Sequence, residues 1–529
     1  MDLHTAGHRR GVVAAPHAAA AEAGRHILAE GGNAIEAMVA MAAAIAVVYP
    51  HMNQLGGDGF WLVREPSGRV RALMAAGVAG SQARPELYRE AGLEAIPPRG
   101  PLAALTVPGA VAGWILALEA AHAFGGRLPL AELLGPAIRH AAEGFAISRS
   151  HAACAALPGL PGVPGFAETF LVDGKPPTPG SKLRQPVLAA TIDQLARTGL
   201  EDFYRGDVGR EIAGDLASIG SPVTRSDLEA CRASVAEPLS VELQVGTVFN
   251  TPPPTQGLAS LMILALFDRL GVRQAESFDH IHGLVEATKR ALRLRDRYLT
   301  DPRRLAHPPG RYLDPAFLDA QAHEIDRRRA SRWAPGGGGG DTVWMGAADA
   351  RGLVVSYIQS LYWEFGSGCV LPHTGVLMQN RGVSFSLRRG AVNPLEPGRL
   401  PVHTLSPALA VLRDGRIMAY GTMGGDAQPQ IQAALFTRHI GYRVPLAEAL
   451  ERPRCVLGQN WGSPHASLVV ESRFDEGVVA ALRTAGHDVD VLGEPYADSM
   501  GHAGAVLLHA NGTLEGAHDP RADGGAAGL

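Results

Sequence analysis

The sequence predicts a mixed α/β layered fold on three observations. Long alanine-rich segments with helical character fill the first half, short valine- and aromatic-rich runs bounded by glycine turns crowd the second, and no linker separates the two. At 529 residues, 46% of them hydrophobic, the chain has ample material for a large core.

In chain order, Gly11 to Glu30 reads as an alanine-rich helix ended by Gly31 and Gly32. Asn33 then caps a second helix that stops before Pro50 and is apolar almost all round, so it belongs in the core. Gly56-Gly57-Asp58-Gly59 leads into a strand over Phe60 to Val63; the order helix, glycines, strand is the reverse of a phosphate-cradling loop. Thr106 to Gly109 open a helix through Trp114, and Leu133 to Glu143 form another. Asp279 to Tyr298 reads as a charged amphipathic helix whose Glu286, Lys289, Arg290, Arg293, Arg295 and Asp296 are expected on a solvated face.

The centre of the chemistry is Gly336 to Ser360. Five consecutive glycines, expected to be a mobile loop, precede two apolar runs, Thr342–Asp349 and Leu353–Ser360, joined by Ala350-Arg351-Gly352. A three-residue hairpin loop wants a left-handed third position, which Gly352 supplies, and the implied register sets Thr342 opposite Ser360. Cutting the Asp341–Thr342 bond would give Thr342 a nucleophilic hydroxyl and its own α-amine as adjacent base. A free α-amine titrates near pH ~8, so part of it can accept a proton at neutrality. The competing reading of this stretch alone is a glycine linker before an ordinary edge hairpin. Downstream, Ala408 to Leu412 reads as a strand, and Gly424-Gly425, between a strand and a helix beginning near Gln428, can turn backbone N–H groups into a cleft.

Composition narrows the partners. A net charge of -4 offers no basic field for nucleic acid or anionic lipid, leaving small molecules as the expected partners. The N-terminus lacks an apolar signal-like region and no run is long enough to span a bilayer, so a cytoplasmic, membrane-free location is expected. Cys154, Cys231, Cys369 and Cys455 are scattered without CxxC spacing, and no HExxH motif is present; neither a metal site nor a cofactor is expected.

In their joint order, GGNAIEAMVAMAAAIAVVYPHM, LGGDGF, TVPGAVAGW, PPPTQG, GDTVWMGAADARG, FGSGCVLPHTGVLMQNRGVSFS, PVHTLSPAL and GTMGGDAQPQ resemble the γ-glutamyltransferase (γ-glutamyltranspeptidase) family of N-terminal nucleophile hydrolases, nearly end to end. The resemblance implies a four-layer αββα sandwich and a precursor that cleaves itself before a threonine. A large subunit, 1–341, and a small one, 342–529, would stay interleaved in one globular unit, and a homodimer of such pairs is one expected assembly. It assigns cleavage to Asp341 and Thr342, catalysis to Thr342, with Ser360 beside its amine, and the oxyanion donors to Gly424 and Gly425. Substrate contacts fall to His403, Thr404, Ser384 and Tyr362, and Arg381 is a further candidate outside the family pattern.

Three departures from the glutathione-hydrolysing members bear on substrate. Ser384 stands where an acidic residue would hold the substrate α-amine. The run from Ala72 to Ala79 lacks the arginine that would clamp the α-carboxylate. Tyr362 replaces an asparagine. The leading expectation is a γ-glutamyl amide substrate of the glutathione type. The alternatives are an acylase acting on another acyl amide, such as a glutaryl or cephalosporin-type side chain, and an unprocessed inactive homologue. Arg381 or Arg521 is the expected substitute for the missing clamp.

Overall fold

The structure is a computed structural model that describes residues 1–333, 340–459 and 466–529. Of the five-glycine run, Gly336 to Gly339 lie outside the described residues; Gly340 is described and buried.

Two seven-stranded antiparallel sheets form the centre. The first runs Gly525–Gly528, Gly11–Ala15, Asp341–Asp349, Val354–Tyr362, Asp58–Arg64, Val70–Ala75, Ser234–Ala236. The second runs His4–His8, Leu514–His518, Ala503–Leu508, Ile417–Thr422, Ala408–Leu412, Gly246–Asn250, Leu239–Leu243. Strand alternation assigns the layers. Val13, Ala15, Val343, Met345 and Ala347 face a cluster built with the helices Ala18–Ala29 and Ala34–Val48. Their neighbours Val12, Ala14, Trp344 and Ala348 face Leu409, Ala419 and Val506 of the second sheet. A separate cluster packs the helices Gly257–Leu270 and Phe278–Tyr298 on that sheet's outer side. The fold is therefore the expected αββα sandwich. Among the described residues no helix is long and apolar enough to cross a membrane.

The sheets close on Trp344, whose indole donates to Ser356 Oγ at 2.9 Å. Gly346, Gly421 and Gly504 leave room for it, since a Cβ at any of them would run into the ring.

Two expectations need correction. Gly11–Ala15 is a strand, not the start of a helix, which begins at Ala18 behind its His17 cap. Alanine favours helix only where nothing better is offered; here the segment is buried between two strands. The helix Phe278–Tyr298 does not keep all its charges in water: Glu286, Lys289 and Arg295 are buried. Glu286 and Lys289 pair at 2.6 Å and bind the backbone of Ser331, while Arg295 faces the site described next.

Candidate active site

The Asp341–Tyr362 hairpin carries the expected turn. Gly352 sits at φ +88°, Asp349 N–H donates to Leu353 O at 3.1 Å, and Asp349 Oδ1 accepts from Arg351 and Leu353 N–H. The register holds from Ala348 opposite Val354 to Val343 opposite Gln359, then shifts so that Asp341 faces Tyr362. The expected pairing of Thr342 with Ser360 therefore falls on a β-bulge, where Ser360 and Leu361 together span the one residue Thr342. The bulge is held by Tyr362, a non-glycine residue at φ +87°, whose N–H donates to Ser360 Oγ at 2.7 Å. Gly340 packs against the Tyr362 ring closely enough that a Cβ there would stand 3.0 Å from it.

Thr342 is buried, and its Oγ accepts from Gln428 Nε2 at 3.4 Å. Gln428 in turn accepts from Ser406 N–H at 3.1 Å. Two residues before Ser406, Thr404 Oγ accepts from Arg381 Nη1 at 3.3 Å, and the Arg381 guanidinium lies 3.8 Å from the centre of the Tyr362 ring. A run of contacts, continued along the chain from Ser406 to Thr404, thus leads from Thr342 through Gln428, Arg381 and Tyr362 to Ser360 in the bulge opposite Thr342.

Gly424 and Gly425 adopt φ +115° and +53° directly after the strand Ile417–Thr422, a turn few side chains tolerate. Among the described residues neither N–H donates a hydrogen bond. Their carbonyl side is anchored: Gln256 Nε2 donates to Gly425 O at 2.8 Å and to Thr404 O at 2.6 Å, and Arg295 Nη1 donates to Gln256 Oε1 at 2.8 Å and to Asp426 Oδ1 at 2.6 Å. Burial pulls the Arg295 pKa down, but the Asp426 and Asp296 carboxylates outweigh it, so the guanidinium stays charged. One arginine–glutamine pair therefore fixes the glycine turn relative to the 403–404 segment.

His403 and Thr404 lie where the resemblance sets them, with different surroundings. The His403 ring packs edge-on to Phe60 and its Nε2 stands 3.2 Å from Asp58 Oδ2, with angles short of a hydrogen bond. Burial, helped by the Arg381 charge, lowers the His403 pKa to about 4, so the ring is neutral. Asp58 Oδ1 accepts from the N–H groups of Gly77 and Gly109. Ser384 ends the short turn Arg381–Ser384, its Oγ buried with no hydrogen-bond partner among the described residues.

Arg381 is the unusual member. It is fully buried, and among the described residues its Nε and Nη2 donate to nothing. Burial lowers its pKa to about 10, which leaves it cationic at neutral pH. Arg521, the other expected clamp, is committed elsewhere: it binds Glu471 at 2.7 and 2.6 Å and Asp519 at 3.0 Å. As a donor set, hydroxyls, amides, backbone N–H groups and one guanidinium suit an anion rather than a metal ion.

The sequence reading missed Gln428, Gln256, Arg295, Asp426 and Asp58. The available signal was polarity out of place: Asp58 inside an apolar strand entry, and Asp426 and Gln428 in the turn directly after the glycine pair.

Comparison with known proteins extends this picture. A family model described as gamma-glutamyltranspeptidase matches residues 20–529. The chain is 53% identical over 521 residues to the oxamate amidohydrolase proenzyme of Klebsiella pneumoniae, covering 98% of each chain. It is 39% identical over 528 residues to the glutathione hydrolase-like YwrD proenzyme of Bacillus subtilis, again covering 98% of each. Among solved structures it is similar to a cephalosporin acylase from Bacillus halodurans, with a TM-score of 0.90 and 31% identity over 99% of this chain and 97% of that one.

Proposed function

The chain belongs to the gamma-glutamyltranspeptidase family, and on that premise we propose that it is a self-processing amidohydrolase whose substrate is a short amide with a carboxylate beside the scissile carbonyl. The observation that carries the substrate assignment is Arg381, a buried guanidinium with two unspent donors next to Thr404 and the hairpin bulge. An unpaired buried charge is costly, and a substrate carboxylate accepting from Nε and Nη2 offsets that cost. Ser384 offers no charge to an α-amine, which disfavours a γ-glutamyl head group. The oxamate amidohydrolase relative, whose named substrate is an amide joined directly to a carboxylate, supports the same class.

In this reading Thr342 Oγ attacks the Asp341 carbonyl, and hydrolysis of the resulting ester frees the Thr342 amine. In the mature enzyme that amine takes the hydroxyl proton as Oγ attacks the substrate amide, and passes it to the leaving nitrogen, which departs as ammonia. Water then cleaves the acyl-threonine ester and restores the hydroxyl. The free N–H groups of Gly424 and Gly425 are the donors for the tetrahedral oxyanion, where one donor is worth about 3 kcal/mol of barrier. Gln428 positions the Thr342 hydroxyl, and Ser360, held by the Tyr362 N–H, stands beside the new amine.

A second reading, an acylase for a longer acid such as a glutaryl amide, is favoured by the cephalosporin acylase similarity, since the same guanidinium could take a distal carboxylate. Rates on oxamate, glutaryl-p-nitroanilide and γ-glutamyl-p-nitroanilide separate the readings. Oxamate is expected to lead in kcat/KM by about a hundredfold or more; a lead for either anilide overturns the short-amide assignment. Mass spectrometry of the purified protein tests processing, with a fragment beginning at Thr342 expected and an uncut chain after long incubation contradicting it.

A further inference from the structure

On the helix Phe278–Tyr298, N-terminal to Arg295, His282 and Glu286 converge with His487. One ligand-type atom from each lies within 4.8 Å of the others, and all three residues are buried. His282 and Glu286 are one helical turn apart on the helix Phe278–Tyr298, which puts both on one face. His487 comes from the turn after the helix Glu476–Thr484, which with a three-stranded sheet of Cys455–Gln459, Ala466–Val470 and Val489–Val491 packs against this helix through Ile281, Val285, Leu468 and Leu482.

We propose that these three residues form a binding site for a borderline divalent cation of the zinc type, with water as the remaining ligand. Two histidines and one carboxylate are a donor set suited to zinc. The His282 tautomer is preset for it: its Nε2–H donates to Asp326 O at 2.8 Å, leaving the Nδ1 lone pair toward the cluster. A backbone carbonyl in that place orients and strengthens a metal-binding imidazole. In the empty cluster His282 Nδ1 accepts from His487 Nε2–H at 2.8 Å. Tetrahedral bonds of about 2.0 Å need the two nitrogens roughly 3.3 Å apart, a shift of about half an ångström, with the His487 proton moving to Nδ1. Glu286 keeps Oε1 on Lys289 at 2.6 Å and offers Oε2, whose partner is the Ser331 N–H at 3.2 Å. His282 also lines a small cleft with Asp279, Ile325 and Arg327.

The Lys289 ammonium, 2.6 Å from Glu286 Oε1, opposes a cation here. Zinc binding to the full-length protein, stripped with a chelator and titrated calorimetrically, is expected to be saturable at one equivalent, with a raised melting temperature and a tetrahedral visible spectrum when cobalt replaces zinc. His487→Ala and Glu286→Gln are each expected to weaken binding at least tenfold, and Lys289→Gln to tighten it. No saturable binding, or binding unchanged in all three variants, overturns the site. Should His487→Ala or Glu286→Gln fail to fold, unchanged affinity in Lys289→Gln alone overturns it, because that ammonium sits against the proposed carboxylate ligand.

Discussion

Among the buried arginines of this molecule, Arg381 and Arg521 have opposite surroundings. Arg521 sits in a closed ionic cluster with Glu471 and Asp519, and Arg454 completes it on Asp519. Although burial alone would raise the Asp519 pKa, the two guanidiniums hold it well below the usual carboxylate range. Arg381 has one hydroxyl, one aromatic ring and two idle donors. A charge whose partners are all internal ties segments together, here the C-terminal turn to the strand end at Glu471. A charge left open is poised for something that arrives. Identical chemistry in the side chain thus takes its role from what the neighbouring elements leave unsatisfied.

Variants can break or sharpen this contrast. The largest effect is expected from Thr342→Ala, which touches neither arginine: the chain stays in one piece on denaturing gels and amidase activity falls by about 10⁴ or more. Residual processing there would remove the centre that Arg381 is said to serve. Next is Arg521→Met, which leaves buried Asp519 with Arg454 alone and buried Glu471 with Arg473 alone; chemical denaturation is expected to read a loss of about 3 kcal/mol. Arg381→Met is expected to do the reverse, lowering kcat/KM on a carboxylated amide by about a hundredfold, or about 3 kcal/mol, with the melting temperature unchanged or raised. A destabilised Arg381→Met with normal kinetics would erase the distinction.

A pH series probes both regions together, since each holds a buried neutral histidine. Burial lowers His403 to about 4 and His518 to about 3. The unfolded chain takes up these protons near pH ~6.5, so stability is full above that, falls as pH drops toward about 4, and levels off for these groups once the folded form is protonated too. A melting temperature flat from pH 6.5 to 4.5 would show that these rings are not held neutral. The smallest effect is expected from Gln428→Ala, about tenfold in processing rate by time-resolved gels, the value of one neutral hydrogen bond to the nucleophile.

Legibility from sequence followed the distance over which the causes act. The hairpin was readable because alternation and Gly352 are local, as was the Asn33 cap, whose capping box with Glu36 is complete. The bulge opposite Thr342 was not, because it goes with a positive φ at Tyr362, whose ring packs on Arg381 from outside the hairpin. Gly11–Ala15 was misread because its strand partners, residues 346–349 and 525–528, lie hundreds of residues away and override alanine's preference. For the same reason Glu286 and Lys289 read as a wet face: the Ser331 backbone that buries them arrives from a different segment. The substrate-contact side suffered most. Arg381 could be named as one of two clamps, yet only its missing partners, set against the full set on Arg521, separate them.

Neither sheet belongs to one side of the 341–342 bond. Residues 1–341 and 342–529 both supply strands to each, and the strand starting at Asp341 lies between Gly11–Ala15 and Val354–Tyr362. Each piece alone would hold two half-sheets with open edges and no closed core. A polypeptide severed there loses the tether that let its parts find each other, and reassembly becomes a bimolecular search by aggregation-prone fragments. Its durability would then be a matter of how slowly it comes apart rather than how favourably it goes together, and a single thermal excursion would be irreversible for the cut molecule where the uncut one recovers.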